Sequence, residues 1–244
     1  MKSSFIIILF FGMILRLFSQ DTNQQSWIFL NNNIKLSDKV TIGLQLWDRH
    51  WYGEDYQRDM FFVNPVFRYK TGIKTKILAG VFNIFDIKNN AEGIPLDKTE
   101  DHFEFRPWQG FQVDHITKRK IKITTLSRLE ERFIFKEKYN FDLRFRERVT
   151  IQYLLTQIFF AKGFSEIIMN IDDDTGLLFN PYELRNHIGM GIKMNSNITM
   201  ELGYEFYYER ENYGAGIDDG YDLGFDTNMY TLTLNFNHVI KKKQ

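Results

Sequence analysis

The chain has no cysteine among its 244 residues. Disulfides, thiol nucleophiles and thiolate metal sites are therefore excluded. It has no net charge at neutral pH, which gives no general reason to expect nucleic acid as a partner. Charged residues reach 25% and the mean hydropathy is −0.35, so a bundle of membrane helices is disfavoured. Past the first twenty residues no stretch keeps a helical period. The spacings that mark a zinc peptidase (HExxH) or an EF-hand are missing.

Aromatic residues are abundant: 24 Phe and 12 Tyr bring the aromatic share to 16%. At the N-terminus, MKSSFIIILFFGMILRLFSQ has the form of a secretory signal. Lys2 is a short positive n-region, Phe5 to Leu15 is an apolar h-region, and Ser19-Gln20 precedes the polar DTNQQ. Arg16 ends the apolar run before it is long enough to span a bilayer as a helix. An uncleaved anchor is the alternative, and the missing Cys rules out a lipoprotein anchor. Residues 1–20 are expected to be a cleaved signal peptide, and 21–244 one domain.

The stretch from His102 to Arg148 carries the strongest pattern. One alternating set holds Glu104, Arg106 and Trp108, then Arg128, Glu130 and Arg132, then Arg144, Arg146 and Arg148. The other holds Phe103, Phe105, Phe111 and Val113, then Ile121, Ile123, Leu129 and Phe133, then Phe141, Leu143, Phe145, Val149 and Ile151. A period of two means strands. A soluble sandwich would bury the greasy face and leave the charged face in water. Charged residues at mid-strand opposite bulky aromatics suit a barrel with lipid outside and a polar interior. Glu131 and Glu147 fall on the nominal lipid face, so an interfacial position or a bulge turning them inward is expected.

Alternating runs of about ten residues, the length of a tilted membrane strand, recur elsewhere. They are predicted at Trp27–Leu36, Val40–Trp51, Met60–Tyr69, Lys74–Phe85, Ile158–Asn170, Glu183–Met194, Ile198–Tyr208 and Asn228–His238. Pro65 predicts a bulge or kink in its strand. In Ile158–Asn170, Glu166 and Asn170 share a face with Phe160 and Phe164, which leaves the orientation open. Short turns at Ser37–Lys39, Lys70–Gly72 and Asn195–Asn197 contrast with long polar loops at Tyr52–Asp59, Asp86–Asp101, Ile171–Pro181 and Arg210–Thr227. Short periplasmic turns and long extracellular loops mark membrane barrels. The expected fold is all-β, an antiparallel up-and-down transmembrane β-barrel of 10–12 strands with an Arg/Glu-rich lumen. Eleven candidates are visible, and Gly214–Gly224 is a place for a twelfth.

The strings HFEFRPWQGF, SRLEERF, LRFRERV, SEIIMN and NPYELRNHIGMGIKMNSNITMELGY occur in this order. Together they resemble the Bacteroidota outer-membrane barrel family catalogued as domain of unknown function 2490. The resemblance runs from about Trp27 to the end and departs from it where HVIKKKQ follows Phe236. It implies a location in the cell outer membrane and a barrel fold. It implies no activity and no catalytic residues.

Candidate site residues follow from the alternation. Glu104, Glu130 and Glu166 face Arg106, Arg128, Arg132, Arg144, Arg146, Arg148 and Arg185 as a lumen charge network. A small barrel fills its lumen with side chains, and buried charges must pair. An electropositive lumen that selects anions is the functional alternative. The acidic runs Asp172–Asp174 and Asp218, Asp219, Asp222 and Asp226 are solvated loops, with calcium binding as the alternative. His50, His102, His115, His187 and His238 are scattered. Only His102 beside Asp101 qualifies as the start of a rim-located hydrolase site. Trp27, Trp47, Trp51, Tyr52, Tyr207 and Tyr208 read as interfacial girdles.

The sequence therefore points to a non-enzymatic outer-membrane barrel, structural or accessory or a narrow pore, without cofactor or metal. Its expected partners are outer-membrane lipids and the barrel assembly machinery, and no nucleic acid. Passage of ions or small molecules is left open. An outer-membrane hydrolase and a soluble periplasmic barrel with an apolar ligand are the rivals.

Overall fold

A computed structural model describes residues 24–52, 56–90, 102–135, 139–171, 179–210 and 223–240. The predicted signal peptide, most of the long loops and the acidic residues Asp172–Asp174, Asp218, Asp219 and Asp222 lie outside the described residues, whereas Asp226, expected in a loop, falls within the strand Leu223–Val239. Eleven strands close into a barrel among those described. They are β1 (Gln24–Lys35), β2 (Val40–Tyr52), β3 (Tyr56–Lys70), β4 (Thr75–Asn90), β5 (His102–Thr117) and β6 (Ile121–Phe135). They continue with β7 (Asn140–Leu154), β8 (Phe159–Ile171), β9 (Phe179–Lys193), β10 (Ile198–Arg210) and β11 (Leu223–Val239).

Each strand pairs antiparallel with its sequence neighbours, as an up-and-down meander requires. The closure differs. In an eleven-strand meander the first and last strands run in the same direction, so β1 and β11 pair in parallel from Gln25↔Met229 to Lys35↔Val239. Two amide pairs bridge this seam inside the barrel: Asn31 donates to Asn235 at 3.0 Å and Asn33 to Asn237 at 3.2 Å.

The strands are longer than the alternating runs predict. The expected long loop Tyr52–Asp59 is a correction: β2 reaches Tyr52 and β3 starts at Tyr56. Charged and polar residues there extend the hairpin instead of leaving it, because backbone pairing does not depend on side-chain polarity. Short turns gather at one rim, and side-chain acceptors shape them. Asn195 Oδ1 accepts from the N–H groups of Asn197 and Ile198, at 2.8 and 2.9 Å. Thr156 Oγ1 accepts from Ile158 and Phe159.

Pro65 brings neither a bulge nor a shift. The β3–β4 register is the same at Val63↔Asn83 and Val66↔Gly80, on either side of it. Asn83 donates its side-chain amide to the Val63 carbonyl at 3.4 Å beside this gap. Glu131 and Glu147 are not turned inward either, because the β6–β7 register is unbroken. Both lie on the outer wall, with Glu147 the eighth of fifteen residues in β7.

The outer wall is apolar: Phe67, Phe111, Ile151 and Ile188 are exposed on it at 45%, 45%, 51% and 65%. The interior holds the polar groups. Asn64, Asp86, Glu104, Glu130, Glu166 and Glu201 are buried there. In β8 the undecided face resolves inward. Phe160, Glu166 and Ile168 are buried while Ser165 is exposed.

Candidate functional site in the lumen

The pleat sends alternate side chains of β5 to β8 into the lumen. Register then sets them side by side: Arg128 opposite Arg146, Glu130 opposite Arg144, and Arg148 opposite Glu166. Three carboxylates organise the arginines. Glu130 is fully buried, forms an ion pair with Arg128 at 2.7 Å, and accepts from Arg144 at 3.0 Å and Arg146 at 3.2 Å, with Arg106 at 3.5 Å. Glu104 accepts from Nε of Arg106 and of Arg132, each at 2.7 Å. Glu166 accepts from Arg146 and, with both oxygens, from Arg148 at 3.1 and 2.9 Å. Arg132 also reaches Asp142 at 2.8 Å.

Thus Glu104, Arg106, Arg128, Glu130, Arg132, Arg144, Arg146, Arg148 and Glu166 form one connected network. Arg185 stands beside it: it pairs with Glu183 and lies 5.9 Å from the Trp27 ring. The Arg fork suits such carboxylate pairing. One partner alone would be costly to bury, which is why the groups occur together.

A second polar group lies on β8 to β10. His187 stacks on Phe164 at 4.8 Å with the ring planes nearly parallel, and bonds Glu201 at 2.9 Å. Lys162 meets the same carboxylate at 2.9 Å. Glycine makes room for the ring: a Cβ on Gly203 would sit 2.2 Å from His187 Cε1. Nothing in the sequence brings Glu201 and Lys162 to His187. Only the β9–β10 and β8–β9 registers do so.

Trp27 and Trp47 are a correction. They point into the lumen, not to an interfacial girdle. Their rings stack at 6.3 Å, and Phe29 sets its edge against both at 5.1 and 5.2 Å. Phe62 and Phe82 continue the cluster toward Trp108. The side chains of Trp51, Tyr52 and Tyr207 lie outside what is described; Tyr208 meets Phe206 edge-on.

Between these walls is a cavity of about 460 Å³. Eight cationic side chains line it, from Arg49, Arg106, Arg132, Arg144, Arg146, Arg148, Lys162 and Arg185, against four carboxylates, from Glu104, Glu183, Glu201 and Glu205. Adding Arg128 and the carboxylates of Glu130, Glu166 and Asp142 leaves cations in excess, nine to seven.

The candidate rim pair Asp101–His102 lies outside the described side chains. Among those described, His50 bonds Asp48 at 2.8 Å, both partly exposed. His187 has carboxylate neighbours, and Ser165, beside its partner Phe164, points outward.

A closed meander with a charged interior and an apolar outside is a porin-like β-barrel. The solved structure described as "NanC porin structure in rhombohedral crystal form" is similar, with a TM-score of 0.50. The likeness covers 84% of this chain and 90% of that one at 12% identity, and so concerns the fold. The chain belongs to the family described as "Protein of unknown function (DUF2490)", whose model matches residues 24–216. No curated protein matches it.

Proposed function

We propose that this chain is a non-enzymatic outer-membrane barrel of a Gram-negative cell, exported by a cleaved signal peptide, whose lumen is a constricted passage that favours anions. The observation that carries the reading is the excess of guanidinium groups over carboxylates around the cavity. Fixed cations in a low-dielectric channel raise the local concentration of anions and lower that of cations. The wall of exposed Phe, Ile and Val on the outside supports insertion in lipid.

Side chains fill much of the lumen, so conductance will be small. The test is reconstitution in planar bilayers under a salt gradient. A reversal potential displaced toward that of chloride supports the reading. A barrel that conducts cations in preference, or that fractionates with soluble periplasmic proteins without detergent, sinks it.

A further inference from the structure

The cavity has two unlike walls. β1 and β2 supply the rings of Trp27, Phe29 and Trp47, and β5 and β7 supply the guanidinium groups of Arg106, Arg146 and Arg148. At about 460 Å³ it falls within the size range of small-molecule sites. Arg148 is the most open of the network's arginines, with 30% of its side chain accessible. The buried donors Trp27 Nε1 and Arg146 Nε have no acceptor among the described residues.

These features select among ligands. A small inorganic anion answers the arginines and leaves the rings unused. An apolar ligand packs on the rings and leaves the cationic wall, where arginines outnumber carboxylates, without an added anion. A carboxylate attached to a flat ring uses both walls, its ring against the aromatic wall of Trp27, Phe29 and Trp47 and its charge toward the guanidinium groups. Aromatic acids and acid sugars share this chemistry, since both offer a flat face of C–H or π character.

We propose that the lumen holds a binding site for a ring-bearing carboxylate. The inference rests on the reading of the lumen as a passage entered by anions. Its test uses the full-length protein extracted from membranes in detergent, titrated with benzoate, glucuronate, acetate and benzamide while tryptophan emission is followed. Benzoate is expected to half-saturate the signal about tenfold below acetate and below benzamide, a ratio worth about 1.4 kcal/mol. Glucuronate matching benzoate assigns the site to any ring acid; glucuronate matching acetate restricts it to aromatic acids.

Trp47→Leu is expected to abolish the preference for benzoate over acetate, and Arg148→Gln the preference for benzoate over benzamide. Each variant is checked for folding by heat-modifiable migration. Should either fail to fold, the wild-type series still decides. Equal half-saturation by benzoate and acetate, or by benzoate and benzamide, overturns the proposal. With anion-selective conductance intact, that outcome removes the ligand site alone. Loss of both anion preference and benzoate binding removes the passage reading as well.

Discussion

Glu130 is the place where the lumen network is most exposed to a single change. Its carboxylate has no access to solvent and is paired with Arg128, Arg144 and Arg146 within 3.2 Å. Glu130→Ala removes one negative charge and leaves these guanidinium groups facing one another. Arg146 keeps Glu166, and Arg106 keeps Glu104. Arg128 has no other ion pair described, so its charge bears most of the loss. Breaking one side of a buried ion pair costs about 3–5 kcal/mol, because the surviving charge is stranded. The adjoining residue provides the comparison. Leu129 is on the outer wall and half-buried, so Leu129→Ala mainly loses apolar contact, about 1–2 kcal/mol by area. Urea titration of the barrel refolded into vesicles, read by heat-modifiable gel migration, separates the two values. Glu130→Gln keeps the shape and one acceptor oxygen and is expected between them. If Leu129→Ala is the more damaging change, and Glu130→Ala alters neither stability nor conductance, the lumen assignment and the inside-out reading of the strands both fall.

Glu147 tests the opposite wall. It stands at mid-strand between Ser127 and Ile167, so Glu147→Leu is expected to stabilise the barrel in vesicles by about 1–2 kcal/mol, since a charge at the bilayer centre is unfavourable; destabilisation in the same titration would mean the wall does not face lipid there. Gly203→Val drives a side chain into the His187 ring and is expected to cost about 1–3 kcal/mol through overpacking, whereas a neutral result would show that the ring has room to move. For topology, the absence of native cysteine makes Asn90→Cys and Asp219→Cys clean probes. Both are expected to react with an impermeant maleimide in intact cells, and labelling only after the outer membrane is broken would invert the barrel.

The strength of a sequence reading here followed how different the two faces of each strand were. In β6 and β7 the contrast is complete, Arg128, Glu130 and Arg132 against Leu129 and Phe133, and the inward face was legible residue by residue. In β1 both faces are large and apolar, with Trp27 and Phe29 on one and Ile28 and Leu30 on the other. Alternation has no sign to offer there, and Trp27 reads as an interfacial residue. The inward direction of Trp27 is set by partners far away in sequence, Arg49 on β2 and Thr231 on β11. In β8 the mixture of Phe160, Phe164 and Glu166 on one face concealed the same answer. Hydrophobicity alone does not mark a lumen that is partly aromatic.

Alternation is a property of the extended backbone itself, so the sequence determined the all-β class, the turned-out polarity and the membership of Glu104 to Arg148 in one inward set. Pairing is a property of the closed sheet. Which carboxylate serves which arginine, the parallel seam between β1 and β11, the meeting of His187 with Glu201, and the two-walled cavity all depend on register between strands. Adjacent strands settle part of that register through their short turns. The rest is imposed by closure, because eleven strands joined in a ring leave the last one only one direction in which to meet the first.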